Sequence, residues 1–250
     1  MTMSDARFSV GPIVCSFACV LAACGGKTPD AASPASGGQP AGAAAAPAKE
    51  CPATFTIDDM EDHQKNQVIV QNGRNGYWYT FLDKQGSTVS PPAGKTFIMS
   101  PGGVNNSTTA AHMLGKTSSS GDPIFVGMGF SFTNPKAQYD ASAYSGVSFY
   151  AKVGPGSAKG FRLKVPDVNT DPDGKVCTEC YNDFGTDLTL TEEWKKYVVP
   201  FSKMTQLDGW GSPSKPAIDK SKVYGMQWQI NQPGTSFDLW VDDVAFTGCP

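Results

Sequence analysis

The feature that most constrains this chain is a missing one: no segment sustains a 3.6-residue apolar period, so no core helix is expected. Short runs of alternating apolar and polar residues take its place from Cys51 onward, separated by Gly, Pro, Asn and Ser. The spacing predicts strands at 54–58, 77–83, 96–100, 111–115, 125–132, 146–152, 160–165, 187–190, 195–200, 225–230 and 237–246. Many short strands at such turn spacing imply an all-β sandwich or jelly roll, not an α/β fold. With 27 Gly and 19 Pro in 250 residues, turns are amply supplied.

The last of these strands organises the rest. Phe237, Leu239 and Val241 share one parity, and Val244 and Phe246 share the other, so the apolar face shifts register at Asp242-Asp243. A bulge is expected there. Two adjacent carboxylates at a bulge need a cation, hydrogen-bond donors or water. A partner acidic cluster, Asp58-Asp59-Met60-Glu61-Asp62, opens the same domain. First and last strands are therefore expected to meet around an oxygen-rich cation site.

Alternation also assigns faces. Val147, Phe149 and Ala151 read as core and Tyr150 as outward; Arg162 and Lys164 point outward between Phe161, Leu163 and Val165. Trp228 reads as core, leaving Gln227 and Gln229 outside, and Asp238 and Trp240 form the outward set of the last strand. If these strands are neighbours, one face carries Tyr150, Arg162, Gln227, Gln229 and Trp240. Aromatic planes beside amide and guanidinium groups suit a sugar, whose C–H faces stack and whose hydroxyls exchange hydrogen bonds. Trp210, within Asp208-Gly209-Trp210-Gly211, is placed to pinch a ligand at the rim. The competing reading is an ordinary solvated sheet face.

The N-terminus reads as a targeting segment. Arg7 precedes a mostly apolar run from Phe8 to Val20, then Leu21-Ala22-Ala23-Cys24. This resembles a bacterial lipoprotein signal, residues 1–23, with Cys24 lipidated after cleavage; the alternative is an ordinary secretory peptide. Residues 24–50 are mostly Ala, Gly, Pro and Ser with hardly a large apolar side chain, the composition of a flexible tether. The folded domain is expected at 51–250. No later stretch approaches the roughly 20 apolar residues that span a bilayer, so lipid alone would attach the protein to the cell envelope.

The seven cysteines sort accordingly. Cys15 and Cys19 fall in the signal and Cys24 takes lipid. Cys51, Cys177, Cys180 and Cys249 remain in an oxidising compartment. Adjacent terminal strands would bring Cys51 to Cys249, leaving Cys177 to close a short loop with Cys180. A redox motif or half of a zinc site are the rival readings of Cys177-Thr-Glu-Cys180, but a second CxxC is missing.

Three blocks carry a family resemblance. They are Ile57-Asp58-Asp59-Met60-Glu61, the run from Tyr139 to Lys152, and Trp194 to Phe201 followed by Val241-Asp242-Asp243-Val244. Together they resemble galactose-binding-like jelly rolls, above all carbohydrate-binding module family 11. The resemblance implies a concave sheet face that binds β-glucan-type chains. It also implies a structural calcium between first-strand and last-strand acids, with Glu61 and Asp242 as ligands and Asp58 and Asp243 beside them. Calcium's preference for six to eight oxygens agrees with that cluster.

Other functions find less support. A net charge of -3 and no basic stripe argue against nucleic acid as the partner. Asp183 with Asp187, and Glu192 with Glu193, are the carboxyl pairs a glycosidase would need, yet neither sits in a motif. His63 and His112 are the only histidines, and no GxSxG accompanies them. The expectation is a monomeric, non-catalytic binder of polysaccharide. A structural or adhesion lipoprotein with a protein partner is the alternative, and a polysaccharide-active hydrolase the third.

Overall fold

The computed structural model describes residues 55–61 and 66–248. The proposed signal, the tether, Cys24 and the expected Cys51–Cys249 bridge lie outside them. Within them the chain forms β1 (Thr56–Asp58), β2 (Trp78–Leu82), β3 (Thr88–Ser90), β4 (Ser100–Pro101), β5 (Thr109–Lys116) and β6 (Val126–Ser131). There follow β7 (Gly146–Val153), β8 (Gly160–Val165), β9 (Phe184–Thr189), β10 (Lys195–Pro200), β11 (Gly225–Ile230) and β12 (Ser236–Thr247). Only short 3-10 turns interrupt the strands, and among the described residues no helix is long and apolar enough to cross a membrane.

Two antiparallel sheets make the sandwich. The first has the order β10-β7-β12-β5-β3, with β1 added to β12 and β4 to β5; the second has the order β2-β6-β11-β8-β9. The chain alternates between sheets, as a jelly roll does. First and last strands do meet: Thr56 pairs with Ala245 and Asp58 with Val244. The bulge lies where the parity shift places it. Register along β7 breaks between Asp242 and Ala245, and Asp243 takes a left-handed φ of 48°. Phe237, Leu239 and Val241 before it and Val244 and Phe246 after it all stay buried.

The inward residues fill the space between the sheets. Trp78 of β2 stacks on Trp228 of β11 at 5.8 Å, and Phe149 of β7 meets Trp228 edge-on at 5.2 Å, so aromatic rings join the two layers. Arg74 is buried beside the Tyr139 and Phe246 rings, donating to Thr56 O at 2.8 Å and to the Tyr139 hydroxyl at 3.0 Å.

Two sequence readings need correcting. Residues 96–99 are not a strand, although Phe97 and Met99 are buried; only Ser100–Pro101 pairs with β5. A strand also exists at Thr88–Ser90, where three residues are too few to show a period.

Candidate functional site

The second sheet carries the site. Its outward side chains form two parallel cross-strand rows. One runs Tyr79, Gly129, Gln227, Lys164, Gly185, and the next runs Phe81, Gly127, Gln229, Arg162, Asp187. Each row reads aromatic, glycine, glutamine, cation. The same chemistry recurs two residues along every strand because that spacing returns a side chain to the same face.

Loops raise this face into a groove of about 1060 Å3, lined by Phe81, Phe125, Arg162, Lys164, Gln227 and Gln229 on the sheet side and by Tyr181, Asp183, Leu207 and Trp210 on the loop side. One wall is two loops stitched together. Thr178 N donates to Ser212 O at 3.0 Å, Gly211 N to Glu179 Oε2 at 2.9 Å, and Asn182 Nδ2 to Trp210 O at 2.6 Å. The Cys177–Cys180 disulfide closes the short loop in that wall, as expected from the sequence, and Cys180 itself lines the groove. Before it, Asp171 caps the 3-10 turn Pro172–Gly174, so the acidic stretch there is a turn. At the rim Tyr181 is 63% exposed and Trp210 42% exposed, placing two aromatic rings where a ligand would pass.

The cations of the floor are engaged by the protein itself. Lys164 Nζ lies 2.9 Å from Asp183 Oδ2 and donates to Tyr181 O at 3.1 Å and Gln229 Oε1 at 3.2 Å. Arg162 Nη1 pairs with Asp187 at 3.1 Å and Nη2 donates to Thr205 O at 2.5 Å. Both side chains face outward as predicted, yet both are buried under the loop wall. Gln227 Nε2 donates to the Tyr79 hydroxyl at 3.0 Å, and burial pushes that phenol up to about 12. The groove is thus polar and aromatic, and the two buried cations of its floor, Arg162 and Lys164, are each paired with an acid.

The expected single face does not hold together. Arg162, Gln227, Gln229 and Trp210 line this groove, but Tyr150 and Trp240 lie on the outer face of the first sheet. The reason is topological: β7 and β12 pair with each other, whereas β8 and β11 belong to the second sheet. Trp240 is also half-buried and flanked by its neighbours. His112 stacks on it at 3.7 Å from β5, Lys152 Nζ stands 5.2 Å over it from β7, and its Nε1 donates to Asp238 at 2.7 Å. Burial lowers the His112 pKa against the opposing pull of Asp238. Tyr150 lies beneath Lys196 Nζ at 5.9 Å.

Phe81, Phe125, Tyr181 and Lys164 were not singled out as ligand contacts from the sequence. A signal for part of the face was present: Tyr79/Phe81, Gly127/Gly129, Arg162/Lys164 and Gln227/Gln229 each repeat a residue type at i and i+2.

The acids at the β1–β12 junction form a second cluster. Asp58 is buried, which raises its carboxyl to about 7 although Trp78 and Met60 donate to it; Asp59 and Asp242 raise it further. Burial likewise lifts Asp242 to about 6 and raises Asp243. Glu61 is held otherwise. Hydrogen bonds from Ser107 and Thr108, with Thr109 N, bring it down to about 2. Among the described residues no group of three or more His, Cys, Asp or Glu side chains is arranged as a metal cage. The acids expected to ligate calcium carry hard oxygens of the type that ion takes, but Asp58, Asp242 and Glu61 each already accept hydrogen bonds from protein donors.

Comparison with known proteins agrees with this architecture. Among solved structures, the family 11 carbohydrate-binding module from Clostridium thermocellum in complex with a β-1,3-1,4-mixed-linked tetrasaccharide aligns with a TM-score of 0.51 at 17% identity, covering 69% of this chain and 89% of that one. The family 11 module of the cellulosomal cellulase Lic26A-Cel5E of the same organism aligns at 0.52 and 15% identity, covering 78% and 94%. These likenesses show the fold, a jelly-roll β-sandwich. No curated protein sequence matches. The sequence model of carbohydrate binding domain 30 matches residues 66–248, and the chain belongs to that family of non-catalytic carbohydrate-binding modules.

Proposed function

We propose that the groove on the second sheet binds a neutral polysaccharide chain of the β-glucan type. The observation that carries this reading is the pairing of both buried floor cations, Arg162 and Lys164, with protein acids beneath exposed aromatic rings. A polyanionic chain would have to break those pairs, whereas a neutral chain needs only ring faces for its C–H surfaces and amides for its hydroxyls. Tyr181, Trp210 and Phe81 supply the first; Gln227 and Gln229 supply the second. The mixed-linked glucan bound to the family 11 module supports the ligand class. Affinity electrophoresis through gels containing β-glucan, xylan, mannan, alginate or no polysaccharide tests it. Retardation in β-glucan alone is expected; selective retardation in alginate would overturn the neutral-ligand reading.

Calcium at the β1–β12 junction is a second proposal, supported by the burial of Asp58 and Asp242 and by their mutual repulsion. Its role would be to hold the terminal strands, away from the groove. Lipidation at Cys24, with residues 25–50 as tether, is a third. Incorporation of labelled palmitate that is lost in Cys24→Ala would support it, and labelling that persists would remove it.

A further inference from the structure

We infer that Gly127 is a positioning residue for ligand binding, because its missing side chain is what lets Phe81 lie down across β6 as part of the groove floor. The inference rests on the binding reading above and concerns how the floor is made. Side chains on a sheet normally stand roughly perpendicular to it. Phe81 does not. A methyl group built on Gly127 would overlap Cζ of the Phe81 ring, so the distal edge of that ring fills the space that a side chain at 127 would take. The next outward position on β6 differs: a methyl on Gly129 would overlap the Met226 carbonyl oxygen before it met Gln227 Cγ at 2.9 Å, so backbone rather than a side chain excludes it. Only the place at 127 is left to a side chain leaning in from β2.

The effect is a lowered floor. With Phe81 pressed against the β6 backbone, the groove stays open above it, and Phe125 braces the ring at 6.3 Å. Restoring a side chain at 127 would lift the ring into the channel. A sugar ring resting on Phe81 would then lose both its room and its platform.

A double-mutant cycle tests this. Binding of soluble β-glucan oligosaccharide is measured for the parent, Phe81→Ala, Gly127→Ala and the double variant, with melting curves alongside. Phe81→Ala should weaken binding about tenfold, the scale of one aromatic contact. Gly127→Ala should weaken it at least as much in the parent and not at all in the Phe81→Ala background. Equal losses in both backgrounds, or unchanged binding by Gly127→Ala, would overturn the inference. The Trp228 carbonyl lies 2.7 Å from the added methyl, so Gly127→Ala could fold poorly. Phe81→Leu then decides: it keeps bulk but loses the plane, and binding equal to the parent would overturn the proposal. A parent that binds no oligosaccharide would instead overturn the function itself, a result distinct from a parent that binds and a Gly127→Ala that binds equally.

Discussion

Trp78 Nε1 donates a 2.6 Å hydrogen bond to Asp58 Oδ2, tying a buried carboxyl of the first strand to a ring in the centre of the core. That carboxyl is held up to about 7, above its ordinary value of 3.8, because burial outweighs the two hydrogen bonds it accepts. The folded state therefore holds the Asp58 proton more tightly than the unfolded chain. Its contribution is complete below about pH 4 and is lost as pH rises towards 7, at most on the order of 4 kcal/mol.

The melting temperature measured in chelator should accordingly fall between pH 5 and pH 7.5, and Asp58→Asn should flatten most of that slope. Glu61 acts in the opposite sense. Its carboxyl, lowered from 4.5 to about 2, contributes stability that is lost as pH drops through that interval. A variant Glu61→Gln should lose less on acidification from pH 5 to pH 2 than the parent. A parent whose melt is flat from pH 5 to 7.5 would contradict the account of Asp58.

Calcium should raise the melting temperature more at pH 7.5 than at pH 5, because a cation competes with protons for the same buried oxygens. Asp242→Asn should reduce the gain. Thermal melts with and without chelator at the two pH values check this, and equal melts in all four conditions would remove calcium from the β1–β12 junction.

The two faces should separate binding from stability. Trp210→Ala and Tyr181→Ala are each expected to weaken oligosaccharide binding about tenfold with little change in the melt. Trp240→Ala should behave in reverse, since the ring is stacked on His112 and contacted by Lys152 on the opposite sheet. A loss of about 1–3 kcal/mol of stability with unaltered binding is expected. Isothermal calorimetry together with denaturant unfolding measures both.

Lys164 and Asp183 form a buried pair beneath the groove, and Asp183 Oδ1 has no hydrogen-bond partner. Lys164→Ala would leave the carboxylate alone and should cost about 3–5 kcal/mol. The double variant Lys164→Met with Asp183→Leu should recover most of it. Urea unfolding of the two variants decides, and equal losses would show that packing rather than charge is at stake.

Much of this fold could be read in the sequence because period-2 alternation is a local signal. Val147 to Ala151, Phe161 to Val165 and Met226 to Ile230 each fixed their own inner face, and the parity break at Asp242 located the bulge. Which strand neighbours which is set by long-range pairing, and alternation is silent about it. For that reason Tyr150 and Trp240 were grouped with Arg162 and Gln227, although two different sheets carry them. The burial of Arg162 and Lys164 was hidden for a related cause: the loops over them, 177–183 and 205–213, have no period to read. Trp210 was found from its Gly-flanked context, while Tyr181 was missed because its exposure depends on the disulfide and the hydrogen bonds that shape its loop.

The two cross-strand rows have a consequence for how this protein can change. Inner and outer positions alternate along β2, β8 and β11, and Phe81, Gln227 and Gln229 all belong to the outer set, so exchanging them disturbs no residue between the sheets. At these three positions ligand contact and the inner core lie on opposite sides of the strand, whereas outward Lys164 and Arg162 also carry ion pairs that hold the loop wall. Successive generations could change ligand contacts here at the cost of the Gln227–Tyr79 and Lys164–Gln229 hydrogen bonds while the inner faces stay unchanged. A library randomised at Phe81, Tyr181, Trp210, Gln227 and Gln229 alone would explore that range while the sandwich beneath stays as it is.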